Sequence, residues 1–131
     1  MQTDNYLFVY GTLRKDHNLK LKDRVSKELE YIGKAKVDAS LYDLGRYPGA
    51  IKEEKKGEVI GDVFLINDPE KVFKILDRYE GEEFSREREE IKLRSGKLVN
   101  AWIYWYNQKP EAKRKIRYKD YLNYLKNKKT A

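Results

Sequence analysis

Asp68-Pro69-Glu70-Lys71-Val72-Phe73-Lys74-Ile75-Leu76-Asp77-Arg78-Tyr79-Glu80-Gly81 reads as one complete helix with both of its ends. Asp68 suits the N-cap, where a side-chain oxygen meets an unpaired N–H of the first turn. Pro69 suits the first helical position, where a missing N–H costs nothing. Val72, Phe73, Leu76 and Tyr79 recur as an apolar stripe, and Gly81 suits the left-handed C′ position. Glu80 follows Leu76 by four residues and Phe73 by seven, so the same period puts its carboxyl on the stripe and not on the wet face. Its place in the last turn sets it against the negative end of the helix dipole, and Glu82 and Glu83 follow at once. Burial, dipole and like charge all raise a carboxylate pKa from its usual value of about 4.3. A carboxyl so placed breaks a local rule and is a candidate acid/base group. The competing reading is a frayed helix end with Glu80 turned to water.

On either side of this helix the pattern changes to strands. Residues 5–10 are apolar on both faces, as in a central strand, and Gly11-Thr12 ends them. Residues 19–29 suit a short helix, and 30–45 alternate as a strand up to the turn cluster Gly45-Arg46-Tyr47-Pro48-Gly49. Residues 57–66 form another strand. After the helix, 86–94 and 98–106 form a hairpin across Arg94-Ser95-Gly96-Lys97. Tyr118, Tyr121, Leu122 and Leu125 space a last helix at about 116–127. This order predicts an α+β fold in which the sheet either curls around the central helix or closes into a small barrel.

The 131 residues suit one domain over 1–131, and 17 aromatics (2 Trp, 11 Tyr, 4 Phe) supply its core. No apolar run approaches the length of a membrane span, and Met1-Gln2-Thr3-Asp4-Asn5 carries no basic region of a secretory signal. The expected setting is therefore cytoplasmic, without membrane contact. Cysteine is absent, which excludes disulfides, thiol nucleophiles and Cys-ligated zinc, and the lone His17 excludes a His-rich metal site. No phosphate loop or dinucleotide fingerprint occurs, so no cofactor is expected. The net charge of +7 gathers in the stretch with Lys109, Lys113, Arg114, Lys115, Arg117, Lys119, Lys126, Lys128 and Lys129. It reads as a solvated tail over about 109–131 whose last four residues are dispensable. A nucleic-acid role for this tail lacks any recognisable binding motif.

Two further stretches carry polar groups to strand ends. Past the strand end at Tyr10, the N–H groups around Gly11, Thr12 and Leu13 suit an anion-binding nest, although strand-Gly-Thr is more commonly a plain turn. In Ala101-Trp102-Ile103-Tyr104-Trp105-Tyr106, one face shows Trp102, Tyr104 and Tyr106 and the other Ile103 and Trp105. A buried Tyr needs a hydroxyl partner, so one facing a cleft is a candidate ligand contact, with core packing as the alternative.

Taken together, these stretches resemble the gamma-glutamylcyclotransferase-like family. Tyr10-Gly11-Thr12-Leu13-Arg14 is similar to its signature loop, Tyr47-Pro48-Gly49 to its Tyr-Pro turn, and Val59-Ile60-Gly61-Asp62-Val63-Phe64 to its glycine-bearing strand. Leu76-Asp77-Arg78-Tyr79-Glu80-Gly81 is similar to the Leu-Asp-x-x-Glu-Gly segment that holds the catalytic glutamate. Arg86 falls where the family has Arg, and Ala101-Trp102-Ile103-Tyr104 resembles its late strand. The similarity runs from about residue 6 to 106 and is nearest to the short gamma-glutamylamine cyclotransferase-like branch. Phe84 departs from the Tyr that this branch often carries.

The resemblance implies an enzyme that releases 5-oxoproline from a gamma-glutamyl amide by internal attack of the α-amine, without metal or cofactor. It implies Glu80 as general acid/base, and substrate contacts from Tyr10, Gly11, Thr12, Leu13 and Tyr104. The reading from another class is a non-catalytic module that holds a small carboxylated metabolite in the same pocket.

Overall fold

The strand expected at the start of the chain is β1, Asn5–Val9, buried on both sides. Its alternating side chains serve two separate cores, with Phe8 in one and Leu7 and Val9 in the other. The structure, a computed structural model, describes residues 5–11, 25–45, 47–52 and 57–130. The remaining strands are β2 (Leu29–Asp43), β3 (Pro48–Lys52), β4 (Glu58–Ile66), β5 (Phe84–Leu93), β6 (Leu98–Tyr106) and β7 (Lys115–Ile116). The two α-helices are α1 (Pro69–Glu80) and α2 (Tyr121–Thr130).

Of the two arrangements open to the sequence, the sheet closes. β2, β4, β1, β6 and β5 pair in that order, and Ala35 and Lys36 of β2 pair back onto Leu93 and Lys92 of β5. All these pairings are antiparallel except β1–β6, which is parallel. Inward side chains of the barrel, among them Phe8, Val37, Val63, Ile91, Ile103 and Trp105, form the first core. The helix α1 lies outside the barrel. Its Val72, Phe73 and Leu76 pack on the outer side chains Leu7, Val9, Phe64 and Ile66, forming the second core. The face assignment expected for β6 holds, since Ile103 and Trp105 join the barrel core while Tyr104 joins the core beneath α1.

The ends of α1 follow the sequence signals. The Asp68 side chain accepts from the Lys71 N–H at 3.2 Å, and the Gly81 N–H donates to the Asp77 carbonyl at 3.0 Å. Gly81 has φ 79°, a left-handed value that a Cβ would strain, so the chain can leave the helix directly after Glu80.

Three expectations change. The helix expected over 19–29 lies partly outside the described residues. Its described part is a short 3-10 turn, Ser26–Glu28, after which Leu29 enters the ladder opposite Ile66. Pro48-Gly49, read as part of a turn, opens β3, whose five residues pair with the far half of β2. The last helix begins at Tyr121 and not at about 116. Ile116 pairs with Leu41 in β7, the Lys119 carbonyl accepts from Ile60 N–H, and Asp120 caps the helix by accepting from Leu122 N–H at 2.9 Å. Tyr118 therefore stands before the helix and is exposed.

The basic stretch is also not a freely solvated tail. Ile116 and Tyr121 are buried in the barrel core, with Tyr124 and Leu125 packed against it. Asp43, buried at the end of β2, accepts from Tyr124 Oη at 2.7 Å, from Lys128 Nζ at 3.0 Å and from Gly45 N–H at 2.8 Å. Burial pushes the Asp43 pKa up. The hydrogen bonds from Tyr124, Lys128 and Gly45 outweigh this and hold it below the usual carboxylate value. Among the described residues, no helix is long and apolar enough to cross a membrane.

Candidate active site

Glu80 is the last residue of α1, one turn beyond the fully buried Leu76. Helical periodicity thus carries it to the edge of the core, where it is half-buried. It borders a hollow of about 160 Å³ together with Tyr10 and Gly11 after β1, Tyr47 and Pro48 before and in β3, and Tyr104 of β6. Among the described residues, neither a cation nor a hydrogen-bond donor meets its carboxylate. Burial pushes its pKa from 4.5 to about 7. Loss of water, one of the three causes expected for that shift, is the one that drives it.

The tyrosines of the hollow are tied back into the protein. Tyr10 Oη donates to the Tyr104 carbonyl at 2.6 Å and accepts from the Ala50 N–H at 3.2 Å, which joins β1, β3 and β6 at one point. Its own pKa is pushed up by burial first and by the charge of Glu80 second. Tyr104 Oη donates to Asp77 Oδ1 at 2.6 Å. Asp77 is held in turn by Arg86, through Nε at 3.0 Å and Nη2 at 3.2 Å, a bidentate pair. The Arg86 guanidinium lies over Phe73, 3.9 Å from the ring centroid, so the pair is fixed against the core beneath α1. Tyr47 Oη donates to Glu83 at 3.1 Å, and its ring tilts against Phe84. Gly11 is required by close approach, because a Cβ there would stand 2.7 Å from Pro48 Cγ.

The chain matches the family described as gamma-glutamyl cyclotransferase, AIG2-like, over residues 7–123. It belongs to that family. The match extends past residue 106, where the sequence resemblance was expected to stop, and takes in β7 and the start of α2. A Methanocaldococcus jannaschii protein named "Putative gamma-glutamylcyclotransferase" is 34% identical over 108 residues, 77% of this chain and 83% of that protein. Two solved structures share the fold. The Bacillus subtilis protein YkqA has a TM-score of 0.77 at 24% identity; 98% of this chain is covered, but only 44% of that one. An AIG2-like mouse protein has a TM-score of 0.75 at 20% identity, with 92% and 89% of the two chains covered.

Of the site residues expected for this family member, the structure brings Glu80, Tyr10, Gly11 and Tyr104 to one hollow. Thr12 and Leu13 lie outside the described residues, as do Arg14 and His17. Sequence reasoning did not assign the walls formed by Tyr47, Pro48, Tyr79 and Phe84, nor the Asp77–Arg86 pair behind Tyr104. Asp77 could have been suspected from its helical position three residues before Glu80, on the adjoining turn. Among the described residues, no group of three or more His, Cys, Asp or Glu side chains is arranged to hold a metal ion.

Proposed function

We propose that the protein is a gamma-glutamylcyclotransferase-type enzyme that releases 5-oxoproline from a gamma-glutamyl amide, with Glu80 as general acid and base. The observation that carries this reading is a carboxyl group without a described partner, at the wall of a small hollow, with its pKa raised to about 7. With the substrate's α-ammonium as donor, each unit by which the Glu80 pKa rises makes the proton transfer easier by about 1.4 kcal/mol. A pKa raised from 4.5 to about 7 therefore makes it easier by about 3.4 kcal/mol than it would be for an ordinary Glu. The freed amine attacks the γ-carbonyl carbon, forming the ring C–N bond while the carbonyl electrons move to oxygen. The intermediate then collapses: protonated Glu80 gives its proton to the leaving nitrogen, the amide C–N bond breaks, and the ring nitrogen loses its second proton through the freed Glu80 carboxylate to water, leaving the neutral lactam and the free amine.

Backbone N–H groups of Tyr10 and Gly11, continued by Thr12 and Leu13, hold the substrate carboxylate or the developing oxyanion. Holding amine and carbonyl in a ring-closing pose contributes about 7–11 kcal/mol. The hollow is small beside the roughly 300–1,000 Å³ of pockets for drug-sized ligands. It suits a glutamyl group, with the amine portion at the mouth. A cysteine-free chain suits a reducing cytosol, and we place the activity there.

The test is a panel of gamma-glutamyl amides and dipeptides scored for 5-oxoproline release. Glu80→Gln, which keeps the shape but cannot take the proton, should lower turnover about 10²–10⁴-fold. Near-wild-type turnover in that variant removes Glu80 as the base. A chain that cyclises nothing yet binds 5-oxoproline is a binding module and not an enzyme.

A further inference from the structure

Three tyrosine hydroxyls of the hollow spend their single proton on the protein. Tyr10 donates to the Tyr104 carbonyl, Tyr47 to Glu83 and Tyr104 to Asp77. The last of these is forced. A carboxylate paired to Arg86 through both oxygens accepts hydrogen bonds and donates none, so the proton between Tyr104 and Asp77 must come from the phenol. Tyr10 has also committed its acceptor side, to the Ala50 N–H. Tyr104 has not, and its oxygen keeps lone pairs made more basic by the charge behind it. Tyr104 and Glu80 border the hollow together, and the phenol oxygen of the one and the carboxylate of the other are both acceptors. A ligand group resting between them has to donate.

Resting on the reaction proposed above, we infer that Tyr104 Oη accepts a hydrogen bond from the substrate's α-ammonium, and that Asp77 and Arg86 are positioning residues that fix this polarity. The ammonium then lies between two acceptors, Tyr104 orienting the nitrogen and Glu80 removing its proton. The substrate carboxylate, itself an acceptor, is then held by neither of these two groups. The hollow so built discriminates against compounds that keep the carboxylate and the amide but lack the α-amine. Asp77→Asn reverses the device. The Asn amide can donate to the phenol oxygen, which frees the Tyr104 proton to turn toward the ligand and oppose an ammonium. Asp77 is exposed and its ion pair partly solvated, so the fold should survive the change.

The experiment compares a gamma-glutamyl amide with its des-amino counterpart, the glutaric acid monoamide of the same amine. KM and kcat are measured for the first and an inhibition constant for the second, in the wild type, Asp77→Asn and Tyr104→Phe. Both variants should lose about tenfold to a hundredfold in kcat/KM for the gamma-glutamyl amide, while inhibition by the des-amino compound stays within about twofold. A parallel loss of both would show a collapsed pocket and overturn the inference, and so would no loss at all. Where the wild type turns over and the discrimination is unmoved, the inference falls and the proposed reaction stands. Where the wild type turns over nothing, the dissociation constants of the two compounds give the same ratio by calorimetry. A preference for the amine that Asp77→Asn abolishes then upholds the inference while the reaction fails. A wild type with no such preference overturns it.

Discussion

Two carboxyl groups end two elements of this molecule, and their surroundings drive them in opposite directions. Asp43 closes β2 and is met by Tyr124, Lys128 and the Gly45 N–H, which together hold it charged. Glu80 closes α1, loses water to the same kind of crowding, and meets no described donor, so its proton is held more tightly. Burial acts upward on both pKa values. The presence or absence of partners decides the outcome, and with it whether the group serves as a clamp or as a proton carrier.

The contrast is open to direct attack through stability. The largest change expected is at the clamp: Asp43→Ala strands a half-buried phenol, an N–H and the Lys128 ammonium together and should cost about 3 kcal/mol. That corresponds to a melting temperature lower by roughly 10 °C in a chain of this size. A loss under about 3 °C would mean that α2 is held by its apolar contacts alone.

Glu80→Gln should move stability the other way, and only at high pH. The folded pKa of Glu80 is raised from 4.5 to about 7. The stability it contributes is therefore fully present below 4.5 and is lost as pH rises through 7. With partial exposure discounted, the variant should melt about 1–2 kcal/mol above the wild type at high pH. The two curves should converge below pH 4.5, where Glu80 is neutral in both states. A gap independent of pH would show that the side chain meets water freely.

The smallest effect sharpens the description of the clamp. Deleting residues 128–131, which read as dispensable in the sequence, removes the Lys128 contact to Asp43 and should cost about 0.5–1 kcal/mol. An unchanged melting curve would leave Tyr124 as the partner that matters.

The helix that carries Glu80 was legible because its signals are local. Asp68, Pro69 and Gly81 mark its ends, and a 3.6-residue period points Glu80 inward. The split faces of β6 were legible for the same reason, through a period of two. β3 and β7 were not, because strands of five and two residues are defined by their partner, and both partners lie along β2. The false start of the last helix has the same origin. Tyr118 continues the helical spacing of Tyr121, Leu122 and Leu125, but Ile116 and the Lys119 carbonyl on either side of it are claimed by β2 and β4. At the site, Glu80 declared itself, whereas the chain from Arg86 through Asp77 to Tyr104 joins three elements and leaves no periodic trace.

The hydroxyl of Tyr10 reaches a carbonyl 94 residues further along the chain. Synthesis runs in one direction, so one wall of the hollow leaves the ribosome early and waits for nearly all of the barrel to follow. β1 remains without its parallel partner until β6 emerges, and no nascent chain ending before Tyr104 can hold Glu80 in its finished surroundings. The chemistry is thereby deferred until the barrel can close. A carboxyl group that would be an ordinary, ionised surface acid on the growing chain acquires its altered proton affinity only when the fold is nearly complete.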